Sequence, residues 1–222
     1  MGATPLREGV EFGVAAREIA VGGQLLTLRA GGTYEDVFLP LYGEHQAHNA
    51  ACAVAAVEAL LGGEGGLDPD VVRAALADAD SPGRLEVLRG GPTVLVDAAH
   101  NPAGAAVLAE ALREAFTFTR LVGVVGVLAD KDAEGILGAL EPVLDEVVIT
   151  RSTSPRAIDP DELAEIAEDV FGEDRVHVAA RLDDALDTAI GRAEEGGLVG
   201  GGVLVTGSIT LAADVRRLLR AR

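Results

Sequence analysis

Several residue types that build common binding and catalytic sites are scarce in this sequence. Cys52 is the only cysteine, Lys131 is the only lysine, and tryptophan is absent. A single cysteine excludes an internal disulfide framework and a metal site made of several thiolates. Because Cys52 lies between alanines in a run with helical spacing, we expect its thiol to be buried and inert.

Basic residues are too few to support a polyanionic partner. The 222 residues include 36 acidic and 18 basic side chains, which gives a formal net charge of −18. Nucleic acids and anionic membrane surfaces are bound by clustered Lys and Arg, so we expect neither partner. There is also no signal peptide and no apolar stretch of the roughly 18 residues that would cross a bilayer. We therefore expect a cytoplasmic protein that acts on small molecules.

Three common catalytic or nucleotide-binding motifs are also missing. The sequence contains no G-x-x-x-x-G-K-[ST] phosphate loop, and Lys131 precedes Asp132 instead of Ser or Thr. No G-x-G-x-x-G follows the first strand of the regular α/β region described below, and no G-x-S-x-G is present. A nucleotide would have to be held by other residues.

The pattern of the chain changes near Ser81, Pro82 and Gly83. Residues 1–80 predict short strands punctuated by glycine, followed by two helices, the second with Asp68 as its N-cap. Residues 81–222 alternate strands and helices with short links, which predicts a mostly parallel sheet covered on both faces. The predicted strands before residue 81 are 10–15, 17–21, 24–29 and 34–40, with helices 46–61 and 69–79. After it the predicted strands are 85–89, 93–97, 121–127, 146–150, 175–178 and 203–206, with helices 102–116, 133–144, 160–171, 182–194 and 209–220.

Polar residues follow the strand ends of this second region. Asp97 and His100 come after a short apolar strand, and Asn101 stands at the N-cap of the next helix before a proline. Lys131 lies between two aspartates after the third strand, and Ser208 follows the last. Ligands of parallel α/β sheets bind at the carboxyl ends of the strands, so these groups mark a candidate site.

Each of these residues also has a purely structural explanation. Asn101 and Ser208 could serve only as helix caps, the Asp130–Asp132 triplet could be a solvated turn, and Arg84 could be a surface arginine. The pair His45 and His48 lies at a helix start, but two ligands do not complete a metal site. We therefore predict no metal site within this chain.

Taken together, five motifs resemble one family in their order and spacing. They are GEHQAHNAA at 43–51, SPGRLEV at 81–87, VDAAHNP at 96–102, ADKD at 129–132 and VTGS at 205–208. The chain from Leu39 onward resembles the folylpolyglutamate synthase/dihydrofolate synthase branch of the Mur ligase superfamily. One departure is Ala98, where many members of the family carry glycine.

The resemblance implies a Rossmann-like, six-stranded domain of an ATP-dependent ligase. Such enzymes phosphorylate a folate or dihydropteroate carboxylate with ATP, and the amine of glutamate then displaces the phosphate. By this comparison His100 packs on the adenine, Asp97 holds the ribose, Asn49 reaches the nucleotide and Arg84 lies near the phosphates. Ser208 and Lys131 would face the incoming glutamate, so that Arg84 and Lys131 are the candidate catalytic residues.

The same resemblance implies that part of the enzyme lies upstream. Family members carry there a phosphate loop and a carbamylated lysine that helps to hold Mg²⁺, and neither is present in this sequence. Residues 1–80 would be the tail of the central ATPase domain and 81–222 the C-terminal domain. We expect such a chain to lack ligase activity without the N-terminal ATPase region in cis.

Two other functions are compatible with these residues. One is a Mur-type ligase that adds an amino acid to a different acceptor. The other is a non-catalytic regulatory domain that uses Asp97 and His100 only to bind an adenine nucleotide.

Overall fold

The chain divides between Ser81 and Pro82 into two compact units. This division is seen in a computed structural model that describes residues 5–61, 65–195 and 199–221. Within the described residues, no helix is long and apolar enough to cross a membrane.

The first unit packs two helices against a small antiparallel sheet. The elements of this unit are β1 (Gly13–Ala20), β2 (Gly23–Arg29), β3 (Thr33–Leu39), α1 (Glu44–Leu61) and α2 (Pro69–Ala77). The sheet has the order β1-β2-β3, and its core is formed by apolar side chains of β2 and β3 against one side of α1. Asp68 caps α2 as predicted, accepting a hydrogen bond from the Asp70 N–H at 2.8 Å.

Two sequence predictions for this unit are wrong in detail. β1 is one strand with an irregular register between Val14 and Ala16, where two separate segments were expected. Cys52 is exposed, because α1 turns Ala51 and Ala55 toward the core and leaves Cys52 on its outer side. The prediction of a buried thiol was wrong because only one face of this alanine-rich helix is buried.

The second unit is an open α/β sheet. Its strands are β4 (Glu86–Gly90), β5 (Thr93–Val96), β6 (Arg120–Val125), β7 (Glu146–Ile149), β8 (Val176–Val178) and β9 (Gly201–Thr206). Its helices are α3 (Pro102–Ala115), α4 (Ala133–Leu140), α5 (Pro160–Phe171), α6 (Leu182–Ala193) and α7 (Ile209–Ala221).

The strand order places the last strand of the sequence in the middle of the sheet. The order is β4-β5-β9-β6-β7-β8, in which β4 pairs antiparallel with β5 and the remaining neighbours are parallel. The prediction of a mostly parallel, Rossmann-like six-stranded sheet is confirmed.

Alternating side chains of the central strands pack on two layers of helices. Val96, Val124 and Val205 lie on the face covered by α6 and α7, and all three are fully buried. Their neighbours along the strands face the opposite side, where α3, α4 and α5 pack in succession. Burial on both faces explains why these strands are continuous apolar runs.

Helix α4 is four residues shorter than its sequence predicted. α4 ends at Leu140 and a 3₁₀ turn follows at Glu141–Val143, whereas the prediction extended the α-helix to residue 144. The cause is Pro142, which lacks an N–H and would clash with the preceding turn of an α-helix.

Candidate active site at the carboxyl edge of the sheet

The ends of three adjacent strands bring most of the predicted site residues to one edge of the sheet. β9 lies between β5 and β6, so the segments that follow these three strands are neighbours. The segment after β5 carries Asp97 and His100, the one after β6 carries Lys131, and the one after β9 carries Ser208. The strand order therefore shows that these residues share one edge of the sheet, which the sequence alone could only suggest.

The segment after β5 is tied to the end of β9 by backbone hydrogen bonds. The Asp97 N–H donates to the Val205 carbonyl at 3.0 Å, and the Gly207 N–H donates to the Ala99 carbonyl at 3.1 Å. Gly207 has a φ of +105°, and a Cβ there would lie 2.8 Å from the Gly126 carbonyl oxygen. Glycine is required at this point because two strand ends meet without space for a side chain.

Asp97 holds two backbone segments together. Its carboxylate accepts hydrogen bonds from the Leu85 N–H and the Ala99 N–H, both at 2.8 Å, and the residue is only 9% exposed. Burial raises the pKa of the Asp97 carboxyl, while these two N–H groups and the nearby Arg84 and His100 act in the opposite direction. The carboxylate thus has a structural role whether or not it also meets a ribose.

One ring nitrogen of His100 is bonded to the backbone. Its Nδ1 lies 2.9 Å from the Ala98 carbonyl oxygen. Because a carbonyl oxygen only accepts, Nδ1 carries the proton and Nε2 of the neutral ring is an acceptor. The partly buried ring is restrained in orientation by this bond.

Arg84 is carried by a tight turn beside Asp97. Gly83 and Leu85 on either side of it both have left-handed backbone, with φ of +72° and +45°. The Gly83 carbonyl accepts from the Ala98 N–H at 2.8 Å, so the turn is fastened to the segment that carries His100. The Arg84 side chain is exposed, with one guanidinium nitrogen 3.5 Å from the Gly83 carbonyl oxygen.

Lys131 belongs to a small charge cluster on the next segment. Its Nζ lies 3.2 Å from one oxygen of Asp130, and the guanidinium of Arg156 lies 3.2 Å from the other. Arg156 comes from the segment after β7, which is paired to this one through the Ala129 N–H and the Arg156 carbonyl at 2.8 Å. Two cations therefore share a single carboxylate at the carboxyl edge.

The segments that carry His100 and Lys131 lie against one another at the starts of their helices. Asn101 caps α3 and Asp132 caps α4, accepting from the N–H groups of Gly104 and Gly135 at 2.8 and 2.9 Å. A Cβ on Gly135 would lie 2.7 Å from Cγ of Pro102, the first residue of α3. The structure thus brings the predicted adenine side and the predicted glutamate side together.

Ser208 differs from the other predicted site residues because its side chain is fully buried. The Ser208 hydroxyl accepts from the Leu211 N–H at 3.1 Å and caps α7. In this conformation the hydroxyl has no surface that a ligand could reach. Direct contact with glutamate stays a prediction that would need movement of this segment.

Asn49 lies in the first unit, near the start of α1. Its side chain is exposed and donates to the Gln46 carboxamide oxygen at 3.2 Å. The helix start is itself anchored by Gln24, a fully buried side chain whose amide donates to the carbonyls of Leu41 and Gly43. The contact of Asn49 with the nucleotide stays a prediction.

The described carboxylate and histidine side chains are not grouped as the ligands of a resident Mg²⁺ would be. Within residues 5–61, 65–195 and 199–221, no group of three or more His, Cys, Asp or Glu is arranged to hold a metal ion. His45 and His48 do not form a pair of ligands, since His48 instead pairs with Glu8 and Glu44.

With this geometry established, comparison with known proteins identifies the family. Residues 83–209 match the family described as Mur ligase, glutamate ligase domain. The chain belongs to the Mur ligase family. The matched region begins at the turn that carries Arg84 and ends just after Ser208, so it contains the whole carboxyl edge described above.

Several relatives that match nearly the whole chain are folate enzymes. The dihydrofolate synthase/folylpolyglutamate synthase of Mycobacterium tuberculosis is 51% identical over 97% of this chain and 47% of its own length. A crystal structure of folylpolyglutamate synthase from that organism, complexed with ADP and AMPPCP, superposes with a TM-score of 0.91 at 52% identity, covering 96% of this chain and 49% of that one. The Escherichia coli enzyme in complex with DHPP and ADP gives a TM-score of 0.76 at 29% identity, covering 97% and 47%.

The chain spans about half the length of these Mur ligase relatives. It resembles enzymes that act as acid–amino-acid ligases, and the resemblance to the folate branch drawn from the five motifs is confirmed.

Sequence reasoning missed the residues that support this edge. Nothing in the sequence indicated that Leu85 has left-handed backbone, because leucine rarely adopts it. Glu86 and Arg216 form an ion pair under the same turn, and Asp214 accepts from the Thr153 N–H at 2.8 Å on the neighbouring segment. These partners are distant in sequence, so neither periodicity nor motif spacing could pair them.

Proposed function

We propose that the second unit supplies the adenosine side and the glutamate side of an ATP-dependent ligase that joins L-glutamate to a folate or dihydropteroate carboxylate. ATP would phosphorylate the carboxylate, and the amine of glutamate would attack the acyl carbon, forming the amide and releasing phosphate. The first unit would be the tail of the central ATPase domain. Phosphate-loop and Mg²⁺ functions would come from polypeptide other than this chain.

The observation that carries the proposal is the convergence of Arg84, Asp97 and His100 at one edge of the sheet. His100 offers a fixed aromatic face for adenine, and Asp97 has acceptor capacity beyond its two backbone bonds for a ribose hydroxyl. Arg84 carries a permanent positive charge that can follow negative charge on a phosphoryl group. ADP complexes of relatives with the same fold support this assignment.

The cluster around Asp130 suits the incoming amino acid. Glutamate carries two carboxylates and one ammonium group at neutral pH, whereas the cluster holds two cations, Lys131 and Arg156, around one carboxylate. This complementarity supports Lys131 as a binding residue for glutamate. Ser208 would contribute indirectly, by fixing the start of α7 beneath the site.

The folate branch is favoured over another acceptor by the degree of similarity. The diaminopimelate-adding ligase of Aquifex aeolicus is 29% identical over 80% of this chain, compared with 51% over 97% for the folate relative. We accordingly place the protein in the cytoplasm, where folates and ATP are available to a ligase.

Isothermal titration calorimetry of ADP into the purified chain tests the nucleotide site. We expect weak binding that His100→Ala abolishes and that the matched change His48→Ala, in the first unit, leaves unchanged. Absence of ADP binding, or equal binding by His100→Ala, would overturn the assignment. Tight binding by the isolated chain would favour a regulatory nucleotide-binding domain instead, since the ligase model leaves the phosphates mostly to other polypeptide.

A further inference from the structure

The turn formed by residues 83–85, hereafter the Arg84 turn, is held in a conformation that its sequence does not favour. Both residues that flank Arg84 have positive φ, and one of them is a leucine with φ +45°. A leucine stays in this region only where surrounding contacts enforce it, and such backbone concentrates at functional sites. The contacts that enforce this backbone conformation therefore also determine where the Arg84 side chain is placed.

One side of the Arg84 turn is held by the segment after β5. Asp97 accepts from the Leu85 N–H, and the Gly83 carbonyl accepts from the Ala98 N–H, each at 2.8 Å. These bonds fix the turn to the candidate nucleotide site. They leave the N–H of Gly83, at the entrance of the turn, to be satisfied by another group.

Glu86 satisfies that N–H from the other side. Its carboxylate Oε2 accepts from the Gly83 N–H at 2.8 Å, reaching back across the turn. The same oxygen lies 2.8 Å from Nε of Arg216 on α7, and both side chains are about four-fifths buried, with exposures of 21% and 22%. The Arg216 Nε–H does not meet hydrogen-bond geometry, so this contact is an ion pair that restrains the carboxylate.

Helix α7 also supports the turn by direct packing. The Gly83 Cα faces Ala98 and Ala212, since a Cβ built on it would lie 3.7 and 3.8 Å from their methyl groups. Arg216 is one helical turn beyond Ala212, on the same side of α7. The ion pair and the packing therefore join a single helix to the entrance of the Arg84 turn.

We propose that Glu86, restrained by Arg216, is a positioning residue that fixes the Arg84 turn so that the Arg84 guanidinium meets the phosphates of the bound nucleotide. This inference rests on the proposed function, in which Arg84 is the phosphate ligand of this chain. Glu86 itself touches neither substrate nor reacting atoms. Its effect is transmitted through the backbone of Gly83.

Comparing ADP with adenosine separates positioning of Arg84 from damage to the rest of the site. Calorimetry on the whole chain should show that Glu86→Ala weakens ADP binding by roughly three- to ten-fold while adenosine affinity is unchanged. Arg84→Ala should reproduce this pattern. Adding Glu86→Ala to Arg84→Ala should cause no further loss, because both changes act through one guanidinium.

A conservative variant keeps the test valid if Glu86→Ala folds poorly. Glu86→Gln retains an acceptor for the Gly83 N–H but loses the charge that Arg216 restrains, so it should recover most of the ADP affinity. The matched change Glu110→Ala, at an exposed position of α3, should alter neither ligand. Amide hydrogen exchange measured by NMR should show faster exchange at Gly83 in Glu86→Ala and near-normal protection in Glu86→Gln.

The outcomes distinguish this inference from the proposed function. If wild type binds ADP and Arg84→Ala weakens it but Glu86→Ala does not, Glu86 does not position Arg84 and only this inference fails. Equal losses of ADP and adenosine affinity in Glu86→Ala would show a general structural role and overturn it as well. If wild type binds neither ligand, the proposed nucleotide site fails and takes this inference with it.

Discussion

Charged side chains are arranged differently at the amino edge of the six-stranded sheet, where the parallel strands begin, and at the carboxyl edge, where they end. At the amino edge, Glu146 is surrounded by Arg120, Arg192 and His177, and the four side chains satisfy one another. At the carboxyl edge, Arg84 and Lys131 are held at the surface with fewer opposing charges, and the carboxylate of Asp97 is used mainly on backbone N–H groups.

This difference separates a structural charge cluster from the proposed binding site. In the amino-edge cluster the His177 Nε2–H donates to Glu146 at 2.8 Å while Nδ1 accepts from Arg192 at 3.2 Å, so both ring nitrogens are used. A cluster whose hydrogen-bonding groups are already paired with one another has none left to bind a ligand. At the carboxyl edge, backbone hydrogen bonds and caps fix the segments, and the side chains of Arg84, His100 and Lys131 stay partly or fully accessible.

Glu146→Ala should have the largest effect on stability. The Glu146 side chain is 9% exposed, and its removal leaves His177 without this carboxylate partner and leaves Arg120 and Arg192 with the more exposed Glu195. Loss of one member of a buried ion pair costs about 3 kcal/mol or more of unfolding free energy. Urea denaturation should show this loss while ADP affinity of the folded protein is unchanged. A fall in ADP affinity at temperatures where the variant is folded would show that the two edges are coupled.

Asp97→Ala should be less destabilising but should abolish ADP binding. The substitution leaves the Leu85 and Ala99 N–H groups without a protein acceptor, and we expect about 1 kcal/mol for each, the low end for unsatisfied groups, because water can enter the space that the carboxylate leaves. The substitution also removes a carboxylate whose ionised form is destabilised by burial, and this offsets part of the cost. Asp97→Asn is the matched variant, and its single remaining acceptor oxygen should give intermediate stability. A larger loss in Asp97→Ala than in Glu146→Ala would contradict the contrast between the edges.

The two edges should also respond to acid with opposite signs. Burial, followed by the charges of Arg192 and Arg120, lowers the pKa of His177, and Glu195 opposes this. The unfolded chain then binds more protons at this residue, so stability falls as pH decreases from about 7 through the ordinary histidine value near 6.5. Asp97 has a raised pKa, so its protonation on further acidification favours the folded state.

Urea midpoints measured from pH 7 to pH 5.5 test the histidine contribution. The wild-type protein should lose more stability over this interval than His177→Gln, which cannot be protonated. His48 in the first unit contributes with the other sign, because pairing with Glu8 raises its pKa, so the comparison is best made in a His48→Gln background. An identical pH dependence in both proteins would show that His177 is not held neutral by its surroundings.

Local features of this structure could be predicted from the sequence, whereas long-range features could not. Caps and apolar runs predicted every strand and helix of the second unit, since Asn101, Asp159 and the prolines after them mark helix starts locally. The position of β9 between β5 and β6 could not be deduced from such signals, because strand order depends on long-range packing. The convergence of Asp97 with Lys131 depends on that order, and the sequence suggested it only through the general rule that ligands bind at the carboxyl ends of parallel strands and through the motif resemblance.

The least predictable features are contacts that depend on three-dimensional proximity alone. The exposure of Cys52, the left-handed backbone of Leu85 and the pairing of Glu86 with Arg216 have no signature in neighbouring residues. Ser208 illustrates the converse, because its cap role was predicted correctly while its complete burial was not.

Lys131→Ala should have the smallest effect on the isolated chain. Its Nζ contacts Asp130 at a solvated turn, and Arg156 remains as the second cation after the substitution. Exposed ion pairs contribute little to stability, so the urea midpoint should match wild type. ADP affinity should also be unchanged, because Lys131 is assigned to glutamate, whereas Arg84→Ala weakens ADP binding. A loss of ADP affinity in Lys131→Ala comparable to that in Arg84→Ala would mean that the carboxyl edge is one phosphate-binding surface, and the separation into nucleotide and glutamate sides would have to be abandoned.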